Sequence, residues 1–160
     1  MDYAAGRIVR DTQVVTTQLV LPNDTNQLGN LLGGTLMHWI DIVAAIAAQR
    51  ATGRVCVTAS VDDLKFREPV RLGEVVTLTA SVNRVFKTSM EVGVVVTAYR
   101  RGEANPRIAN NAFLTFVALD DEGHPVEIPQ VLPQTDDEKR RFEEALERRN
   151  LRLKQRRFRQ

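Results

Sequence analysis

The sequence predicts an α+β fold in which one long helix comes early and a curved antiparallel sheet wraps around it. Two observations carry this. Residues 35–50 hold an apolar series at helical spacing, with Leu36, Ile40, Val43, Ala44 and Ala47 on one side. After it come four runs with strand periodicity, joined by connections too short for crossover helices.

In chain order, Gln13 to Val20 is rich in Val and Thr and reads as a first strand, closed by the turn residues Pro22, Asn23 and Asp24. Gly33 and Gly34 let the chain turn tightly into the helix, and Gly53 ends it. Val55, Val57, Ala59 and Val61 alternate with Cys56, Thr58, Ser60 and Asp62, and Val76, Leu78, Ala80 and Val82 alternate with Thr77, Thr79, Ser81 and Asn83. Met90 to Tyr99 puts Met90, Val92, Val94, Val96 and Ala98 on one face, and Arg107 to Leu119 is apolar on both. A last helix starts at Thr135, whose partner Glu138 three residues later makes a capping box; Phe142, Ala145, Leu146 and Leu153 give it a modest apolar stripe along the body or a neighbouring subunit. The expected division is a domain over 1–132 and a helical basic tail over 133–160.

With 160 residues, 43% hydrophobic and 26% charged, the chain suits one domain with a real core. Seven of its 22 Lys and Arg fall in residues 148–159 without an acid; leaving them out turns the net charge of +2 into −5. The basicity belongs to the tail, and a helix end matched to its dipole explains it without nucleic acid or membrane. One cysteine and two histidines offer no disulfide and no zinc set, so no metal is expected. The polar start and the lack of any apolar run near ~18 residues fit a soluble, cytoplasmic protein.

Asp41 is the residue to explain. From Leu36 to Gln49 the other polar side chains are His38 and Gln49, so Asp41 sits in a helix expected to be buried nearly all round. A buried carboxylate near the unpaired amides of a helix start is either a base beside an oxyanion site or a partner for a polar group on another subunit. Asn26 and Asn30 flank a glycine-containing turn, where asparagine is a common turn residue. His38 reads as packing and Cys56 as a core thiol. There is no G-x-S-x-G elbow, Walker loop or G-x-G-x-x-G fingerprint.

Four ordered blocks, DTNQLGNLLGGTLMHWIDIVAAIAA, VTASVDDLKFREPVRLGEVV, KTSMEVGVVV and QTDDEKRRFEE, resemble the hotdog-fold acyl-CoA thioesterases, in particular the acyl-CoA hydrolase branch. The resemblance implies a single hotdog domain that hydrolyses acyl-CoA to a carboxylic acid and coenzyme A, with no cofactor beyond the coenzyme A of substrate and product. It implies Asp41 as general base or nucleophile, Asn26 reaching the site from a partner subunit, and the backbone of Gly33, Gly34 and Thr35 near the thioester oxygen. It places Ser60, Phe66, Arg67, Pro69, Thr88 and Ser89 along coenzyme A, and implies a homodimer, assembled further into a trimer of dimers. Many relatives carry an acid directly after the aspartate, where this chain has Ile42. Two other readings stay open: a non-catalytic acyl-CoA-binding regulator using the basic tail, and a hotdog dehydratase, which would want a histidine paired with an acid.

Overall fold

The computed structural model describes residues 6–157. Its elements are β1 (Arg7–Ile8), a 3-10 turn at Val9–Thr12, β2 (Val14–Leu19), a second such turn at Pro22–Asp24, α1 (Gly33–Thr52), β3 (Val55–Phe66), β4 (Val75–Val85), β5 (Ser89–Tyr99), β6 (Arg107–Leu119), β7 (Val131–Leu132) and α2 (Asp136–Arg157). The five long strands form one antiparallel sheet in the order β2-β4-β5-β6-β3, and β1 pairs with β7 in a short parallel ladder.

One face of this sheet carries Val76, Leu78, Ala80, Met90, Val92, Val96, Leu114 and Phe116, all buried, and α1 lies on it through Leu36, Ile40, Val43, Ala44, Ala47 and Ala48. Each fully buried Leu, Ile or Phe contributes about 1.5–3 kcal/mol, and alanines on α1 bring helix and sheet close. Gly53 stops α1 in the left-handed conformation, at φ 66°, with its amide bonded to the Gln49 carbonyl. The helix therefore starts earlier than the sequence reading had it, with Gly33 and Gly34 inside its first turn.

α2 lies across part of the opposite face, over the polar residues Ser81, Asn83 and Glu91. The predicted capping box forms, with the Glu138 amide donating to Thr135 Oγ1 at 3.2 Å and the Thr135 amide to Glu138 Oε2 at 3.1 Å. Of the expected apolar stripe, Ala145 is buried, Phe142 packs half-buried against the core and Leu146 is half-buried, while Leu153 is exposed. Arginines add polar anchors. Arg141 reaches Ser81 Oγ at 3.0 Å, Arg148 forks onto buried Glu91 at 2.8 and 2.9 Å while stacking on Phe113, and Arg152 pairs with Asp62. The tail's basicity is thus partly spent inside the fold rather than solvated. Asn83 joins by donating to Glu91 at 3.0 Å, and Gly93 has to be glycine because a Cβ there would lie 2.7 Å from the Asn83 amide nitrogen. Residues 158–160 of the predicted tail lie outside the described residues.

Candidate active site

α1 runs antiparallel to β3, so its middle faces the middle of that strand. There Thr58 Oγ1 donates to Asp41 Oδ1 at 2.7 Å. A register shift against β6 between Thr58 and Ser60 is what separates these two residues: Thr58 stays on the α1 side, while Ser60 turns to the α2 side and bonds Asp62 at 2.7 Å. Asp41 is half-buried rather than enclosed, because the outward side of α1 is open, with Met37, His38, Ile42 and Ile46 exposed. The expectation of a helix buried nearly all round fails for a single chain. On edge strand β3, Val61 is exposed on the α1 side, while Val55 and Val57 are exposed on the opposite face of the sheet, where the alternation had suggested a half-buried strand.

Leu32 caps α1 without a side-chain bond, so the helix presents its first amides unfilled. At 1.5 Å per residue, Gly34 lies about 10 Å along the axis from Asp41. That is too far for both to hold one thioester. Gly34 is open, with nothing within 4 Å of where a Cβ would stand, whereas a Cβ on Gly33 would meet Phe66 Cζ at 3.1 Å. Gly33 therefore has a packing reason to be glycine.

Two clefts collect the other predicted residues. The first, about 380 Å³, is lined by Asn26, Asn30, Leu31, Gly33, Leu36 and Phe66–Val70. It brings Asn26 together with Phe66, Arg67 and Pro69 at the helix start. Asn26 Oδ1 accepts from the amides of Leu28 and Asn30 at 2.9 and 3.2 Å, so this asparagine also shapes its own turn. The second cleft, about 860 Å³, lies on the α2 side and is lined by Ser60, Lys65, Ser89, Arg148, Arg149 and Arg152 among others. Arg149 rests over the Phe86 ring at 4.3 Å, and burial, then the charge of Arg152, hold its guanidinium below the usual arginine range. Thr88 stands beside this cleft, its carbonyl taken by the Ala118 amide at 3.0 Å. Within one chain, then, Asp41 and Asn26 are not brought together, and Ser60 and Ser89 are on the other side of the sheet from Phe66.

Thr58 and the three arginines of α2 were not singled out from sequence. The alternation in β3 put Thr58 in phase with Cys56, which was the available signal; the arginines looked like a helix end. Cys56 is buried 3.4 Å from the Thr52 hydroxyl, and its thiol is pushed up by burial, against the hydrogen bond, as an inert core thiol should be. His38 is exposed rather than packed.

Residues 28–104 match the family model described as the thioesterase superfamily. The uncharacterized acyl-CoA thioester hydrolase YkhA of Bacillus subtilis is 39% identical over the whole of this chain and 93% of its own length. This chain belongs to the hotdog-fold acyl-CoA thioesterases. Mouse acyl-coenzyme A thioesterase 11 is 42% identical over 89% of the chain, which spans only 24% of that protein. Among solved structures, the acyl-CoA hydrolase of Staphylococcus aureus, in complex with butyryl coenzyme A, coenzyme A and coenzyme A disulfide, has a TM-score of 0.89 at 36% identity, covering 94% of this chain and 92% of that one. A hexameric acyl-CoA thioesterase superposes equally well, at TM-score 0.89 and 38% identity over 92% and 95% of the two chains. Variants of the S. aureus enzyme with alanine in place of an asparagine, an aspartate and a threonine have the same fold. In hotdog terms α1 is the central helix and β2–β6 the wrapping sheet. No helix among the described residues is long and apolar enough to cross a membrane.

Proposed function

We propose that this chain hydrolyses acyl-CoA thioesters at sites shared between two copies of itself. The observation that carries the reading is the Asp41 carboxylate held by Thr58 on the open side of α1. Support comes from the S. aureus enzyme. The residues replaced there stand 15 and 17 residues apart, the intervals that separate Asn26 from Asp41 and Asp41 from Thr58 here.

A carboxylate in this position takes a proton from water, the water oxygen attacks the thioester carbonyl carbon, and a tetrahedral oxyanion forms. Its negative charge needs donors, which the unfilled amides at Gly34 and Thr35 supply. Because those amides lie about 10 Å from Asp41 on the same helix, the donors come from a second copy whose α1 runs the other way, and Asn26 of the partner subunit arrives with them. Collapse of the intermediate breaks the C–S bond; coenzyme A leaves as the thiolate and recovers the proton, and the carboxylic acid is the other product. Thr58 fixes which carboxylate oxygen faces the water.

The exposed Met37, Ile42 and Ile46 of α1 and the free edge of β3 are the surfaces such pairing covers, and hexameric relatives make a trimer of dimers the expected assembly. Phe66, Arg67 and Pro69 line the cleft beside Asn26 and take the pantetheine arm. Lys65 and Arg149 of the second cleft, with Ser60 and Ser89, suit phosphates at the nucleotide end. The pairing of Arg148 and Arg152 with carboxylates argues against a tail free to bind nucleic acid.

The test is release of free coenzyme A from acetyl, octanoyl and palmitoyl thioesters by the wild type, Asp41→Asn and Asn26→Ala proteins. Turnover by the wild type and a loss of about 10²-fold or more in each variant is expected. Mixing the two variants through dissociation and reassembly should restore activity, since some sites then pair an intact Asp41 with an intact Asn26. Binding without turnover at any chain length would leave a sensor instead.

A further inference from the structure

Outside the site, the most elaborate cluster of charge is built around Glu74, which is 1% exposed just before β4. Its Oε1 accepts Arg100 Nε at 2.9 Å, and its Oε2 accepts Arg107 Nη2 at 2.6 Å and the Arg71 amide at 3.1 Å. Burial pushes this carboxyl up, but the bonds from Arg107, the Arg71 amide and Arg100 outweigh burial and hold it below the usual range. Arg107, the first residue of β6, also reaches Glu68 at 3.1 Å and the Pro69 carbonyl at 3.3 Å. Its planar fork lets one side chain grip Glu74, Glu68 and the Pro69 carbonyl in fixed geometry, which a lysine's single ammonium does not reproduce.

These contacts converge on the β3–β4 loop, and that loop is laced to the turn that bears Asn26. The Leu31 amide donates to the Val70 carbonyl at 2.7 Å, the Leu72 amide to the Gly29 carbonyl at 2.9 Å, and Asn30 bridges to Arg71. Both walls of the first cleft, the Asn26 turn and Phe66–Val70, therefore stand on the Arg107–Glu74 pair. We propose that Arg107 and Glu74 are positioning residues of the reaction: by clamping the β3–β4 loop they fix where Asn26 is presented. The inference rests on the hydrolase reading above.

The experiment is a double-mutant cycle of Arg107→Lys with Asn26→Ala, with kcat and KM measured on the best wild-type substrate at confirmed oligomeric state. It is paired with amide hydrogen exchange on the same assemblies. Arg84→Lys, which perturbs an arginine stacked on Phe142 that lines neither cleft, is the control for general loosening. The expected result is a fall of about tenfold or more in kcat/KM for Arg107→Lys alone and less than about twofold when Asn26 is already alanine. Exchange at the Leu31 and Leu72 amides should rise, with no such rise in Arg84→Lys. Glu68→Gln, a largely exposed change, gives the same signs at smaller size and serves if Arg107→Lys does not assemble. Full multiplication of the two effects, or unchanged exchange at Leu31 and Leu72, overturns the proposal. If wild type hydrolyses nothing, the hydrolase reading falls by itself, and exchange alone then decides whether the pair clamps the loop.

Discussion

Thr58→Val removes one hydroxyl and keeps the shape of the side chain, which isolates its bond to Asp41. The bond is short, 2.7 Å, and its acceptor is a carboxylate oxygen. A hydrogen bond to a charged group contributes about 1.5–3 kcal/mol. Asp41 is half-buried and Thr58 exposed in the single chain, so the lower part of that range, about 1.5–2 kcal/mol, applies. At 1.36 kcal/mol per decade this is a fall of roughly 10- to 30-fold in kcat. On the proposed mechanism KM should change little, because the Thr58 hydroxyl is bonded to Asp41, and Thr58→Ser, which keeps the hydroxyl, should stay within about threefold of wild type. Release of coenzyme A thiol over a range of substrate concentrations reads both parameters. A valine variant with wild-type kcat, or one whose loss lies wholly in KM, would show that the Thr58–Asp41 bond does not serve turnover.

The two glycines of the helix start should separate. Gly33→Ala drives a Cβ to 3.1 Å from the Phe66 ring and should lower both stability and substrate affinity. Gly34→Ala meets open space and should leave thermal stability unchanged or slightly raised while slowing turnover. Removing Arg148 leaves Glu91, 1% exposed, with only Asn83 as partner. Breaking a buried pair costs about 3–5 kcal/mol, and since Arg148 is itself partly exposed, Arg148→Met should cost about 3 kcal/mol in urea unfolding, with part recovered by adding Glu91→Gln. Glu74 contributes to acid sensitivity. Its pKa in the fold lies below the ordinary 4.5, so the stability it adds is complete above that value and is lost as pH falls through the lowered one. Glu74→Gln should be less stable than wild type at pH 7, with a shallower decline below pH 4.5; parallel curves would exclude Glu74 as the group concerned.

Local pattern alone determined the helix, the long strands and their antiparallel sense. The α1 face of Leu36, Ile40, Val43, Ala44 and Ala47 was legible because helical spacing and burial agree, and the even-numbered residues of β4 and β5 were legible for the same reason at period two. The capping box of α2 was legible too, being contained in four residues. Asp41 stood out because a carboxylate in an oily helix has to be accounted for. In β3 the half-buried reading fell short at Val55, Val57 and Val61, which are exposed, because apolar alternation does not tell an edge strand from a covered central one.

Everything that depends on contact across distance was settled only by the fold. A register shift in β3 put Thr58 against Asp41 and sent Ser60 to the far side of the sheet, and no composition signals a bulge. The arginines of α2 looked like solvated helix-end charge because their acids, Glu91 and Asp62, lie 57 and 90 residues away in sequence. Glu74, one acid among twenty in the sequence, became a hub because Arg71 before β4, Arg100 after β5 and Arg107 at the start of β6 meet on it. A sequence records which groups need burial or a partner; which partner satisfies them is chosen when strands and helices close on one another.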